Sequence, residues 1–224
     1  YTLMIGRVAT QAVAPALQPA TPYRPHEFTT LAILEIDPLI CAVPASSTVR
    51  TARELMTAIR QNPGKYRYST PGEDTLPNFA VQYLLNISGM TADAVRGLHF
   101  DSGLEAVQSL ADGRVDLACI PASSAGSFVA DGKILGLFTT TDNRMDALGQ
   151  VPTAREAGFK AMAQMVGWSA LIGPPGMPPT VIKYWKKTLQ KVAADPVWLA
   201  TNARLGGQPT IRVIAKPEQY VEEQ

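Results

Sequence analysis

The sequence predicts an α/β fold, and three observations carry that prediction. Short apolar runs alternate with stretches of helical periodicity from one end of the chain to the other. Gly and Pro residues punctuate the joins, as at Asn62-Pro63-Gly64 and Gly173-Pro174-Pro175-Gly176. Residues 100–121 read as a complete unit: strand end, tight loop, short helix, second strand, which is a βαβ pattern of mostly parallel sheet.

The elements follow in order. Thr2 to Ile5 is strand-like and Gly6 to Thr10 is a loop into a short helix limited by Pro15 and Pro19. Phe28 to Ile36 and Leu39 to Val43 read as two strands parted by the turn signal Asp37-Pro38. A helix is expected from Thr51 to Ile59, and Tyr66 to Ser69 is a strand feeding a loop and the helix Leu76 to Ile87. In the 100–121 unit, Leu104, Val107, Leu110 and Ala111 form the helix stripe and Gly113 ends it. A short helix after Pro121, a strand from Lys133 to Thr140, a short helix after Val151-Pro152-Thr153 and a strand from Val166 to Ile172 come next. The longest helix runs from Val181 to Ala194, followed by a helix from Pro196, an edge strand at 210–214 and a terminal helix from Lys216.

Composition narrows the function classes. A formal charge of +1 over 224 residues, with no basic run interleaved with aromatics, argues against nucleic-acid binding. No apolar run reaches the roughly 20 residues of a membrane helix. The chain opens on Tyr1 without an initiator Met, so residues are expected upstream, where a secretory signal would lie. Cys41 and Cys119 lie in apolar runs without metal or redox spacing; they read as two buried thiols, with a disulfide as the alternative.

Catalytic constellations are sparse. The sequence holds no G-x-S-x-G elbow, no GxGxxG, no Walker loop and no H-E-x-x-H. His26 and His99 are the two imidazoles, and His99 reads as a packed or partly exposed residue at a strand end; a triad with Ser69 or Ser102 has no support in the spacing. Instead, Ser, Thr and Gly residues concentrate in loops after strands, at Gly6 to Thr10, Ser69 to Thr75, Asp101 to Gly103 and Ala122 to Gly126. Ligands of open α/β sheets bind at the carboxyl ends of strands. Ser102 followed by Glu105 fits a capping box, and Gly103 lets backbone amides approach a guest; the site is either an anion seat or a plain capped helix.

The chain resembles the Bug family, periplasmic solute-binding receptors of bacterial tripartite tricarboxylate transporters. The resemblance rests on Tyr1-Thr2-Leu3, Asn62-Pro63-Gly64-Lys65, the Ser69 to Thr75 loop and Gly103 to Asp116. Val151-Pro152-Thr153, Glu156-Ala157-Gly158, Gly167-Trp168 and Ala194-Asp195-Pro196 extend it over essentially the whole chain. It implies a two-domain periplasmic-binding-protein fold of the Venus-flytrap type, lacking the βαβα portion that precedes the Tyr-Thr-Leu strand in the family. The domains are expected at 1–42 with 137–224, and at 43–136. The implied function is capture of a small carboxylated or zwitterionic solute between the domains and delivery to membrane transporter subunits, in the periplasm, without cofactor, metal or catalysis. The ligand-binding residues carried over are Arg7, Thr10, Ser69, Thr70, Gly72, Thr75, Asp101, Ser102, Gly103, Pro121, Ala122 and Trp168.

Departures from the family pattern bear on the ligand. Asp101 stands where an uncharged or basic residue is usual, and Glu73 and Asp74 add acidity to the second loop. An anion about 4 Å from Asp101 meets roughly 4 kcal/mol of repulsion at an effective dielectric near 20, before screening. Either Arg7 offsets this and the acids hold a ligand amine, or the acidic groups face solvent. An α/β enzyme acting on a small organic acid and a ligand sensor for a signalling partner are the competing readings.

Overall fold

The computed structural model describes residues 2–18, 20–163, 165–204, 208–209, 211, 219 and 221. In chain order its elements are β1 (Met4–Arg7), a wide helical turn (Ala9–Val13), α1 (Ala14–Leu17), β2 (Thr29–Pro44), α2 (Ala52–Gln61), β3 (Tyr66–Thr70) and α3 (Leu76–Ile87). There follow β4 (Val95–His99), α4 (Gly103–Ala111), β5 (Ala118–Pro121), α5 (Ala122–Ala130), β6 (Ile134–Thr139) and α6 (Ala154–Ala157). The last are β7 (Val166–Gly173), α7 (Pro179–Ala193), α8 (Pro196–Arg204) and β8 (Gln208–Pro209). Of the expected edge strand at 210–214 and the terminal helix from Lys216, all but residues 211, 219 and 221 lie outside the described residues.

The chain divides into two units, 1–37 with 167–224, and 38–166. The expected boundaries at 42/43 and 136/137 differ from this division. Residues 137–166 belong with the larger unit because Phe138 stacks on Phe159 at 5.8 Å, and Ala154 and Met162 sit in one core with Leu39 and Leu84.

In the larger unit, β3 and β4 pair in parallel, and Tyr68 bridges Leu117 in parallel just before β5. β5 and β6 each pair antiparallel with β2. The sheet is therefore mixed, where the alternation of elements predicted a mostly parallel one. Side chains along β2 alternate faces, as a period of two requires. Leu39, Cys41 and Val43 point into a core with Leu55, Met56 and Ile59 of α2 and Val81, Leu84 and Leu85 of α3. Ile40 and Ala42 point into a second core with Val107 and Leu110 of α4 and Phe128 and Val129 of α5. Helices thus cover both faces of the sheet.

The helix ends are set locally. The Thr51 hydroxyl accepts the Glu54 amide at 3.2 Å to start α2. Thr153 and Glu156 form a full capping box on α6, and Arg144 donates to the Glu156 carboxylate at 2.9 Å. That hydrogen bond, with the Thr153 amide, holds the Glu156 carboxyl below its ordinary range. Gly158 ends α6 with φ +91°, a conformation that favours glycine.

Two sequence expectations are corrected here. Asp37-Pro38 is no turn: β2 is one strand of 16 residues. Glu35 and Ile36 pair with β8, and from Leu39 onward the partners are β5 and β6, so Pro38 falls where the strand changes partners and its missing N–H costs no ladder bond. The cysteines are not free thiols, because Cys41 and Cys119 stand opposite each other on β2 and β5 and form a disulfide.

In the smaller unit, β7 lies between β1 and β2. Ile33, Trp168, Ala170 and Ile172 form one core, and Leu31, Ala32, Met177 and Leu189 another, which carries α7. Lys183, Lys186, Lys187 and Lys191 of α7 are exposed, and Leu189 is buried.

Candidate functional site

Because β3, β4 and the approach to β5 run in parallel, their carboxyl ends share one edge of the larger unit's sheet. α3, α4 and α5 all begin at that edge. The Phe100 amide donates to the Thr70 carbonyl at 2.9 Å, tying the first two junctions together. The α4 and α5 starts meet at Gly103, where an added Cβ would lie 3.0 Å from the Ser124 hydroxyl. First-turn amides of a helix lack intrahelical acceptors, and their dipoles favour a negative guest. α3 and α5 begin without any side-chain cap. The edge is therefore a row of three adjacent helix starts, two of them uncapped.

α4 is capped in half. The Ser102 hydroxyl accepts the Glu105 amide at 3.1 Å, as expected, but the Glu105 carboxylate accepts from the Asp101 amide at 3.2 Å, one residue upstream of the box position. Gly103 and Leu104 supply the remaining first-turn amides. Leu104 was assigned to the core stripe; it is 61% exposed instead and stands at the mouth of this edge. Its position at the second residue of the helix, before the buried Ala106-Val107 pair, was the signal that sequence reading passed over.

The hydroxyls predicted to meet a ligand are largely engaged within the loops. Ser69 is fully buried and donates to the Ala106 carbonyl at 2.8 Å, fastening α4 to β3. Thr70 and Thr75 both donate to the Gly72 carbonyl, at 3.0 and 2.7 Å, and lie 3.1 Å from each other. Ala122 is buried beneath α5, and Pro121 is half-buried at the end of β5.

The acidic groups sit around it. Asp101, Glu73 and Asp74 are exposed, and His99 Nε2 lies 3.4 Å from Glu73 Oε1. The Glu73 carbonyl accepts from Asn78 Nδ2 at 2.8 Å; Asn78 Oδ1 accepts from the Tyr68 hydroxyl at 2.6 Å, and Gln82 donates to that hydroxyl at 2.7 Å. Burial, opposed by the Gln82 hydrogen bond and reinforced by Glu73, raises the Tyr68 phenol above its ordinary pKa.

The remaining predicted residues lie in the smaller unit. Arg7 is exposed at the end of β1, and its amide donates to the Thr10 hydroxyl at 3.1 Å, which in turn donates to the Arg7 carbonyl. Trp168 is 2% exposed and packs in the core with Ile33 and Ile172, so its indole is a structural element of that unit. His99 is bonded to neither Ser69 nor Ser102, whose hydroxyls are engaged as described. Among the described residues, no group of His, Cys, Asp and Glu is arranged to hold a metal ion.

In an open α/β sheet covered by helices on both faces, ligands bind outside the carboxyl ends of the strands, and helix starts there favour an anion. The chain belongs to the tripartite tricarboxylate transporter family receptors, whose description matches residues 1–220. A protein from the TAR-I ttuE-ttuC' intergenic region of Agrobacterium vitis is 24% identical over 220 residues, covering 97% of this chain and 62% of its own length. The chain thus spans less than two thirds of that relative. Among solved structures, MatC from Rhodopseudomonas palustris with bound malate is similar with a TM-score of 0.84 at 23% identity, covering 99% of this chain and 76% of its own. A second R. palustris protein, with adipate, has a TM-score of 0.83 at 20% identity over 100% of this chain and 72% of its own. The mixed α/β fold is that of these structures and of the periplasmic binding protein BugD, which has a TM-score of 0.84 at 21% identity over 100% of this chain and 74% of its own.

Proposed function

We propose that this protein is an extracytoplasmic receptor that holds a small carboxylate at the helix starts of α3, α4 and α5 and delivers it to a tripartite membrane transporter, without catalysing a reaction. The observation that carries this reading is the junction of α4 and α5, where Gly103 abuts Ser124 at a helix start whose first-turn amides lack intrahelical acceptors. The family, and two similar structures solved with malate and adipate, support the ligand class. The Cys41–Cys119 disulfide supports an oxidising compartment such as the periplasm. Ser102, Gly103 and Gly72 are the backbone contacts.

Asp101 favours a second reading within the same class. An exposed carboxylate next to the α4 amides suits a ligand that carries an amine beside its carboxylate. Calorimetric titration with malate, adipate, glutamate and aspartate separates the two. A Gly103→Val variant that remains folded loses binding in either case, because its side chain fills the approach to Ser124. Unchanged affinity in that variant contradicts the site.

A further inference from the structure

Away from the strand ends, the larger unit carries a groove of about 520 Å³ between α2 and the segment after α6. Its floor is apolar, formed by Met56, Ile87 and Phe159, and its walls carry Arg53, Arg60 and Lys160. No carboxylate lines it, and among the described residues none of the three cations takes part in an ion pair. Elsewhere on this unit, exposed cations do find partners, as Arg144 with Glu156 and Arg155 with Asp142.

Two of these charges are held in place. Arg60 Nη2 donates to the Ser88 carbonyl at 2.6 Å, which fixes the guanidinium at one end of the groove. The Arg53 guanidinium lies where a Cβ on residue 158 would stand, so the left-handed Gly158 opens the space it fills. Arg53 and Arg60 are seven residues apart on α2, which sets them roughly 10 Å apart along the helix. That span is too long for one small carboxylate and suits a polymer. In an extended polyproline-type peptide, residues i and i+3 share a face about 9 Å apart.

We propose that this groove is a docking site for an acidic segment of a protein partner, with carboxylates spaced to meet Arg60 and Arg53 and a third near Lys160. The charge complementarity is one-sided and the floor is apolar, so an extended chain with acidic and apolar side chains fits it. The inference is independent of the solute site, because it involves none of that site's residues.

The test uses fluorescence anisotropy with a labelled peptide of four Glu-Pro-Pro repeats, its Gln-Pro-Pro counterpart, and a short oligothymidylate. The Glu peptide is expected to bind the intact protein and to weaken with added salt, while the Gln peptide does not bind. The Arg60→Gln/Lys160→Gln variant should weaken binding at least about tenfold, and Lys186→Gln/Lys187→Gln on α7 should change it by less than about twofold. Lys160→Gln alone, at an exposed position, serves if the double variant does not fold. Equal losses in the groove and α7 variants, absence of Glu-peptide binding, or oligothymidylate binding as tight as the peptide's would each overturn the proposal.

Discussion

Cys41 on β2 and Cys119 on β5 face each other across an antiparallel ladder and are joined by a disulfide that closes a 78-residue separation, on the face covered by α2 and α3. Disulfides of this kind typically contribute about 2–4 kcal/mol. Reduction, or a Cys41→Ala/Cys119→Ala double variant, should lower the melting midpoint by roughly 5–15 °C for a protein of this size. Thiol titration of the denatured, unreduced protein should find no free thiol.

Asp101 places an exposed carboxylate beside the α4 amides. Removing it should help a simple dicarboxylate and not a zwitterion. An Asp101→Asn variant is expected to bind malate or adipate about three- to thirtyfold more tightly, the Coulomb term being reduced by solvent screening. Calorimetry on the paired ligands checks this, and an equal gain for glutamate would assign Asp101 a role other than amine recognition.

Gly158 ends α6 in a left-handed conformation and leaves room for the Arg53 guanidinium. Gly158→Ala introduces an unfavourable backbone and displaces Arg53, at a cost of about 1–2 kcal/mol. Thermal unfolding reads the loss. If Arg53→Ala removes part of the penalty, the contact accounts for that part.

Tyr68, 3% exposed, joins Asn78 and Gln82 beneath the loop that carries Glu73. Tyr68→Phe leaves both amides without the hydroxyl and should destabilise by about 1–3 kcal/mol. Because burial raises the phenol pKa in the folded state, its contribution is fully present below the ordinary tyrosine range. It is lost as the pH rises through the folded value. Ultraviolet difference titration of the protein against Tyr68→Phe should show a tyrosine ionisation displaced to higher pH that the variant lacks.

Much of the larger unit was legible in the sequence. Periodicity located α2, α3 and α4, and Ser102 and Thr153 marked helix starts through a local hydrogen bond that residue type alone specifies. Tertiary choices were not legible. Asp37-Pro38 carries turn residues, yet β2 passes through them because the strand exchanges partners there. Which way β2 runs beside β5, and hence whether Cys41 meets Cys119, depends on long-range pairing that local pattern does not encode. At the candidate site, residue type did not reveal which hydroxyls the fold itself engages. Ser69, Thr70 and Thr75 look like ligand hydroxyls by type, but each closes a bond within the fold.

The measurement that tests the central claim most directly is a thermal-shift titration of this protein with malate, adipate, citrate, glutamate and aspartate, each followed by analysis of the recovered ligand. A ligand at 100 times its dissociation constant stabilises by about 2.7 kcal/mol, or roughly 5–10 °C here. The account predicts a selective upward shift for one member of the panel, lost in Gly103→Val, with the ligand recovered unchanged. Consumption of the ligand, or a shift that Gly103→Val leaves intact, would contradict a non-catalytic carboxylate receptor built on the helix starts of α3, α4 and α5.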